Sequence, residues 1–280
     1  MIRRVLLRLR EELAEGRAAV MVSVVDWQGS VPRKDRPRMA FFEDGKVAGT
    51  VGGGRIDRRA GEMAASCAGE PLREEILLDA EAGSEGELAC GGRVTLEAQR
   101  FAPADLARVD ELLADPALEP PRLLVFGGGH VGLAASRLAA EAGWAVHVVD
   151  DRPDYSDPAR FPFAADTASG PPEAAARWEP VAEKDALLIA TRGHRQDEEA
   201  LAWAMRTSAG YIGMLSSTRK KAKLLASLEA AGAPVSSLEG RFHSPVGLSI
   251  GAETVEEIAV AIVAELIAWK RQVAGSRWPE

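Results

Sequence analysis

Cysteine, histidine and tyrosine are scarce in this chain of 280 residues, and each scarcity excludes a class of chemistry. The two cysteines, Cys67 and Cys90, form no CxxC pair, and the four histidines lie far apart, so no zinc-ligand spacing is present. Neither of the two tyrosines, Tyr155 and Tyr211, is followed by a lysine four residues later. The sequence therefore has no recognisable Tyr–Lys or His–Asp pair for hydride transfer.

Long apolar runs and a positive net charge are also missing. No run approaches the roughly 18 apolar residues of a membrane-spanning helix, and Glu11, Glu12 and Glu15 argue against a transit peptide. The net charge of −8 opposes non-specific binding to nucleic acid. We therefore expect a cytoplasmic protein that binds neither membranes nor nucleic acid.

A segment rich in proline and acidic residues, ADPALEPPR, divides the chain and indicates a linker. The predicted domains are 1–114, a small α+β domain, and 122–280, with the linker at 115–121 between them. The first domain begins with an amphipathic helix at 1–16, a β-branched apolar run at 18–25 and an Asp-Gly hairpin signal at 44–45. A helix at 55–69, a strand at 91–101 and a short helix at 104–114 follow.

In the second domain, strands and helices alternate, which predicts a doubly wound parallel sheet of Rossmann type covered on both faces. The strands are expected at 123–126, 145–149, 186–190 and 211–215. The helices are expected at 131–142, 197–207, 218–231 and 254–269, the last opening with a capping box.

The turn after the first of these strands has the sequence GGGHVG, a match to the dinucleotide-binding pattern GxGxxG. Such a turn brings the backbone and a helix N terminus close to a phosphate, and an acid about 20 residues later holds a ribose hydroxyl. The alternative is a tight turn in a sheet without a ligand. The candidate ligand-binding residues of this motif are Gly127, Gly128, Gly129, Gly132 and Asp150.

Further polar residues follow the other strands, at the sheet edge where ligands of this fold bind. His130 is either a phosphate contact or a cap of its own helix, and Asp197 is either a functional carboxylate or the N-cap of the next helix. The remaining candidates are Arg192, His194, Ser216, Ser217, Arg219, His243 and Ser244.

The first domain contributes a second, weaker set of candidates. A basic segment and a second glycine turn are consistent with an anion site or with ordinary structure, through Arg33, Arg38, Gly52, Gly53 and Gly54. Cys90 precedes two glycines and Arg93, which favours an accessible thiol with a lowered pKa, whereas Cys67 is expected to be a small buried residue.

Several long blocks resemble the xanthine dehydrogenase accessory (XdhC/CoxI-type) family. They include GTVGGGRID, CGGR, VFGGGHVG, DDRP, TRGHRQDEEAL, YIGMLSS and HSPVGLSIGAET, and together they extend over about 18–266. Asp57 is one departure, because glutamate is usual there. The resemblance implies a factor that binds molybdenum cofactor, supports its sulfuration with a cysteine desulfurase, and delivers it to the apoenzyme of a molybdenum hydroxylase.

On this interpretation the Rossmann-like domain holds the phosphate of the cofactor, and Cys90 is a candidate for contacting molybdenum or carrying sulfur. The combined pattern favours a maturation factor over an enzyme. One alternative is an NAD(P)-dependent oxidoreductase, and another is a nucleotide-sensing interaction protein without catalysis. The alanine-rich last helix, with Ala259, Ala261, Ala264 and Ala268, suits a homodimer contact or an internal helix equally.

Overall fold

The computed structural model describes residues 2–31, 36–78 and 92–272. The chain divides into two compact units, Met1–Glu119 and Pro120–Glu280.

The first unit is built on an antiparallel sheet of five strands in the order β3-β2-β1-β5-β4. Its strands are β1 (Ala19–Gln28), β2 (Arg38–Phe42), β3 (Val47–Gly49), β4 (Leu72–Leu77) and β5 (Arg93–Phe101). Its helices are α1 (Ile2–Ala14), α2 (Gly54–Ser66) and α3 (Leu106–Leu113).

Two apolar faces of strand β1 explain how the helices of this unit are placed. Ala19 and Met21 pack with α1, whose buried residues include Val5 and Leu9, and this confirms the predicted apolar face of the first helix. Val22 and Val24 point to the opposite face and pack with α2. The alternation follows from the two-residue period of a strand, so α1 and α2 cover opposite sides of the sheet.

The second unit is built on a parallel sheet of six strands in the order β11-β10-β9-β6-β7-β8. Its strands are β6 (Arg122–Phe126), β7 (Ala145–Asp150), β8 (Asp166–Ser169), β9 (Ala186–Ile189), β10 (Tyr211–Met214) and β11 (Phe242–His243). Its helices are α4 (His130–Glu141), α5 (His194–Met205), α6 (Thr218–Ala230) and α7 (Val255–Lys270).

This strand order, read from β8 to β11, is the 3-2-1-4-5-6 order of the dinucleotide-binding fold, and it confirms the predicted fold class. Helices α4 and α7 pack on one face of the sheet, whereas α5 and α6 pack on the other. The strand order reverses between β6 and β9, and the crevice at their carboxyl ends is the expected ligand site.

Four of the six strands and all four helices of this unit begin and end close to their predicted bounds. Strands β8 and β11 escaped the sequence analysis, as did β4 in the first unit. Asp197 is not an N-cap: α5 begins earlier, with Gly193 as its N-cap. Ala259 is buried where α7 packs with α4, and Ala261 is buried against the loop at Gly247. Within the described residues, no helix has the length and apolar character needed to cross a bilayer.

Candidate functional site

The crevice at the switch point is narrow, with a volume of about 30 Å³. That space is about what one or two water molecules need. Its walls come from the ends of β6, β7 and β9, and include Gly127, Asp150, Asp151, Thr191 and Arg192. Sequence candidates from three separate segments therefore meet in one place.

Three glycines of the loop after β6 are required by the fold itself. A Cβ atom at Gly127 would lie 2.3 Å from the Ala190 carbonyl oxygen, and the φ of Gly127 is +109°, which favours glycine. A Cβ atom at Gly128 would lie 1.9 Å from the Tyr155 oxygen. At Gly132 it would lie 1.9 Å from the Gly127 oxygen, so this glycine lets α4 approach β6 closely.

Gly129 differs from its neighbours, because a Cβ atom there would meet nothing within 4 Å. Its φ of −64° is open to any residue, so neither conformation nor packing within the chain requires a glycine. Gly129 is the N-cap of α4, and its backbone lies at the positive end of that helix. A glycine that the fold does not need, at a helix N terminus, is what close approach of a ligand phosphate requires.

Asp150 lies at the end of β7, as expected, but its carboxylate is already fully engaged. Its Oδ2 accepts from the Gly128 N–H at 2.9 Å and from Arg152 Nη2 at 2.8 Å. Its Oδ1 accepts from Arg152 Nε at 2.8 Å and from the Arg152 backbone N–H at 3.0 Å, so all four lone-pair positions are used. Burial by itself would raise the pKa of Asp150, but these hydrogen bonds outweigh burial and leave the pKa below its usual value. The acid therefore has no lone pair ready for a ribose hydroxyl.

A second ion pair crosses the mouth of the crevice. Arg192 Nη2 lies 2.7 Å from Asp151 Oδ2, and both side chains are well exposed. Behind it, the buried Asp197 accepts from the Thr191 hydroxyl at 2.5 Å and pairs with Lys220 of α6. Asp197 thus ties the loop after β9 to the neighbouring helix.

His130 and His194 occupy matching positions, as the first residues of α4 and α5. Both are exposed, and they follow adjacent parallel strands, β6 and β9. The N-cap of α4 is Gly129, so His130 is the first residue of the helix and not its N-cap. Each imidazole therefore stands at a helix N terminus on the sheet edge that carries the crevice.

A second group of candidates gathers at the ends of β10 and β11. The Ser216 and Ser244 hydroxyls lie 2.8 Å apart, and Lys221 Nζ donates to the Ser244 carbonyl oxygen at 3.1 Å. Ser217 is the N-cap of α6 and accepts from the Lys220 N–H. Arg219 is exposed on the first turn of the same helix. The structure thus joins two segments that are 28 residues apart in sequence.

His243 of this group is held by a carboxylate that the sequence analysis missed. Glu265 of α7 is only 4% exposed and accepts from the Tyr211 hydroxyl at 2.8 Å and from the Gly247 N–H at 2.6 Å. Its other oxygen lies 3.0 Å from His243 Nδ1, and the Tyr211 ring stacks on the imidazole with centroids 4.2 Å apart. An acid inside the apolar stretch AIVAELIAW was the available signal, because a buried carboxylate needs partners.

The backbone N–H groups of the glycine turn in the first unit bind a carboxylate of the same chain. Asp57 Oδ1 accepts from the N–H groups of Val51, Gly52 and Gly53 at 2.9, 3.1 and 3.0 Å, and its Oδ2 accepts from the Thr50 hydroxyl. Gly54 begins α2. Asp57 therefore occupies the N–H groups of Gly52 and Gly53, two of the three glycines in the suggested anion nest.

The remaining candidates have different outcomes. Arg33 and Cys90 lie outside the described residues. Cys67 is buried, as expected, and its thiol lies 3.5 Å from the Ala98 carbonyl oxygen; it follows the end of α2 rather than lying within the helix. Arg38 lines a separate pocket of the first unit. Among the described residues, no group of three or more His, Cys, Asp or Glu side chains could hold a metal ion.

Comparison with known proteins gives two family matches, one for each unit. The XdhC Rossmann domain matches residues 123–266, and the XdhC and CoxI family matches residues 12–76. A solved structure described as a xanthine dehydrogenase from Bacillus halodurans is 24% identical and covers 98% of both chains, with a TM-score of 0.77. At that identity the likeness supports the fold alone.

Three curated relatives are similar to this chain. The uncharacterized protein YqeB of Escherichia coli is 30% identical over 91% of this chain, and a protein of Bacillus subtilis described as a probable xanthine dehydrogenase subunit is 37% identical over 56% of it. The chain spans less than half the length of these two, 44% and 46%. The molybdenum cofactor insertion chaperone PaoD of Escherichia coli is 23% identical over 91% of this chain and 85% of its own length. The XdhC Rossmann match alone covers more than half of the chain, and the chain belongs to the XdhC family.

Proposed function

We propose that this protein is a maturation factor for molybdenum cofactor, which it binds as cargo and passes to a molybdenum hydroxylase of the xanthine dehydrogenase type. Family membership supports this role, as do the relatives described as a cofactor insertion chaperone and as part of a xanthine dehydrogenase. The observation that carries the proposal is the loop at Gly129, where the fold leaves room for a phosphate without needing a glycine for itself.

The cargo has chemistry that suits this loop. Molybdenum cofactor has a phosphate on its pterin, and some forms carry a complete dinucleotide. The N–H groups in the first turn of α4 lack partners within that helix and favour an anion. His130 and His194 stand beside them and would add donors, and the hydroxyls of Ser216, Ser217 and Ser244, with Arg219 and His243, extend the polar edge toward β11.

Binding of such a cargo needs the crevice to widen. Sites for small-molecule ligands usually measure several hundred cubic ångströms, whereas this crevice has about 30 Å³. Arg192 and Asp151 both line the crevice and form an ion pair, and Arg152 pairs with Asp150, which also lines it. Outward rotation of these two arginines opens the space and frees two cations for the phosphate.

The finer steps of the proposal concern sulfuration and transfer. A cysteine desulfurase would supply sulfur, and Cys90 would contact molybdenum or carry that sulfur, because thiolate is a soft ligand. Differential alkylation tests this role: the Cys90 thiol should react faster than the buried Cys67 thiol. Cys90→Ser should abolish activation of the hydroxylase, and Cys67→Ser should not. A Cys90→Ser protein that activates at the wild-type rate would remove Cys90 from the mechanism.

The proposed partners are the hydroxylase apoenzyme, the desulfurase and a second copy of this chain. The dimer contact would use the exposed strip of α7 with Val260 and Ile267, because Ala259 and Ala261 are buried within the unit. Cross-linking or light scattering measures that state directly.

The experiment that tests the function is binding of purified molybdenum cofactor to the wild-type protein and to Gly129→Val. The valine side chain enters space that the fold leaves free, so the variant should stay folded. It should bind the cofactor at least about tenfold more weakly, which corresponds to ~1.4 kcal/mol. Equal affinities in two folded proteins would refute this site.

A further inference from the structure

A basic pocket in the first unit is distinct from the crevice. It has a volume of about 230 Å³, and it is lined from strands β1, β2 and β5 and from helix α3. Ser23, Arg38 and Glu97 are register partners across the three strands and so lie on one face of the sheet. Its volume exceeds by more than tenfold the ~15 Å³ that one water needs, so a small hydrated ion fits inside.

The charges that line this pocket are mostly positive. Arg36, Arg38 and Arg108 contribute three guanidinium groups. Glu97 is the one acidic side chain among the described lining residues, and its carboxylate pairs with Arg73 of β4. The local charge is thus opposite in sign to the net charge of −8 for the whole chain.

Arg38 has a hydrogen-bond donor without an acceptor among the described residues. Its Nη1 is buried, and it has no hydrogen-bond partner among the described residues. Burial lowers the pKa of Arg38, because the guanidinium loses water, and the Asp115 carboxylate opposes this effect only in part. A buried donor without a partner costs on the order of 1–3 kcal/mol, so a turn of the Arg38 side chain that brings Nη1 against an acceptor in the pocket would recover that loss.

The neighbours of Arg38 can complete a site for an oxyanion. Arg108 Nη2 donates to Gln99 Oε1 at 3.1 Å, and its guanidinium stacks over the Phe101 ring, 5.3 Å from the centroid. These contacts fix one arginine beside the pocket, and its other N–H groups have no hydrogen-bond partner among the described residues and can serve as donors. Guanidinium groups bind phosphate through paired hydrogen bonds, which a single lysine cannot form.

We propose that this pocket binds a phosphate group, with Arg38 as its main ligand and Arg36 and Arg108 as supporting cations. The site belongs to the first unit and does not depend on the proposed function of the crevice. Inorganic phosphate and a phosphate ester present the same recognised chemistry, and the experiment below distinguishes them.

The test compares thermal unfolding of the wild-type protein, Arg38→Met and Arg38→Lys with inorganic phosphate, with cytidine monophosphate and with neither, at constant ionic strength. A ligand that binds only the folded state raises the melting temperature. Phosphate should raise that of the wild type. Arg38→Met should bind phosphate at least about tenfold more weakly, ~1.4 kcal/mol, with Arg38→Lys between the two.

Two controls separate a ligand site from a structural arginine and from the crevice. Arg59→Met removes an exposed arginine of α2 that pairs with Glu74, and it should respond to phosphate as the wild type does. Gly129→Val should also keep the response that depends on Arg38. Without phosphate, Arg38→Met should be at least as stable as the wild type, because it removes a buried donor without a partner.

A response to both ligands that depends on Arg38 supports a site for phosphate esters, and a response to inorganic phosphate alone supports a site for the free anion. An unchanged response in Arg38→Met overturns the proposal. The proposal is also overturned if the increase in melting temperature with phosphate is lost in Gly129→Val and kept in Arg38→Met, because phosphate then binds in the crevice.

Discussion

The four glycines after β6 have unequal roles at the scale of single residues. Gly127, Gly128 and Gly132 touch backbone atoms so closely that a Cβ atom has no room. Gly129 has room and an ordinary φ. Three of these glycines are therefore required by the fold and the fourth, Gly129, is not; we propose that its small size serves a ligand.

This difference predicts opposite effects of the same substitution. Gly132→Val places its side chain against the Gly127 oxygen and should unfold the second unit or reduce its stability severely. Gly129→Val loses a favourable N-cap residue, which costs about 1 kcal/mol, and should unfold at a denaturant concentration only slightly below that of the wild type. Circular dichroism during urea unfolding measures both. Equal destabilisation by the two valines would contradict the assignment of roles.

Arg152 makes a further residue-scale prediction, for nicotinamide dinucleotides. Because Arg152 and Gly128 occupy the Asp150 carboxylate, the wild type should bind NAD⁺ weakly. Arg152→Ala frees this acid for the ribose hydroxyls and should strengthen NAD⁺ binding about tenfold, ~1.4 kcal/mol. Arg192→Ala removes the other arginine of the crevice but leaves the Asp150 carboxylate occupied, so it is the matched control and should show no such gain. Calorimetry that finds tight NAD⁺ binding by the wild type would favour the oxidoreductase alternative.

At the scale of elements, long periodic segments were predictable and short ones were not. The capping box of Thr254 and Glu257 and the apolar sequence that follows determine α7 locally. Strand β11 has two residues, and β8 has four with the sequence DTAS, so neither carries an apolar pattern. Strand β4 reads LREEIL, and its pairing with β5 decides its conformation. Pairing with strands distant in sequence determines such short elements, so the periodicity of their own residues does not predict them.

The candidate site shows the same limit. The GxGxxG loop and the acid at 150 are local signals, and the structure brings them together at one sheet edge. Three hydrogen-bonded contacts depend on side-chain geometry. Arg152 occupies the Asp150 carboxylate, Asp57 accepts from the N–H groups of the glycine turn, and Glu265 contacts the His243 imidazole. Residue spacing alone does not reveal whether a polar group already has a partner.

Glu265 provides a prediction at this scale, because it ties α7 to β10 and to the loop after β11. Glu265→Leu leaves the Tyr211 hydroxyl and the Gly247 N–H without their acceptor and should lower the free energy of unfolding by about 3 kcal/mol. Glu256→Leu on the exposed side of the same helix should change it by less than about 0.5 kcal/mol. Urea unfolding at neutral pH compares them, and similar values for both variants would contradict a role for Glu265 as a tie between elements.

At the scale of the whole molecule, buried carboxylates set the response to acid. Burial by itself would raise the pKa of Asp150, Asp185 and Glu265, but their hydrogen bonds outweigh burial and lower it. The folded state therefore binds these protons more weakly than the unfolded state, whose carboxyl pKa values are about 4. Stability should be complete above that pH and should fall as the pH decreases below it.

Denaturant unfolding as a function of pH tests this expectation. Asp185, which pairs with Arg122, supplies the control: Asp185→Asn should lower stability at neutral pH and show a shallower loss in acid. Stability that stays constant from about pH 5 to pH 3 would contradict the assigned directions.

The two units together suggest a molecule with two anion sites, one at the Gly129 loop and one at Arg38, in a chain that belongs to the XdhC family. The central claim concerns the first site and its cargo. The most direct measurement is the ligand retained by protein purified from cells that make molybdenum cofactor, identified by mass spectrometry with metal analysis, for the wild type and Gly129→Val in parallel. The expected result is molybdenum and pterin in equal amounts on the wild type and much less of both on the variant. Retained NAD(P) without pterin or molybdenum would contradict the account.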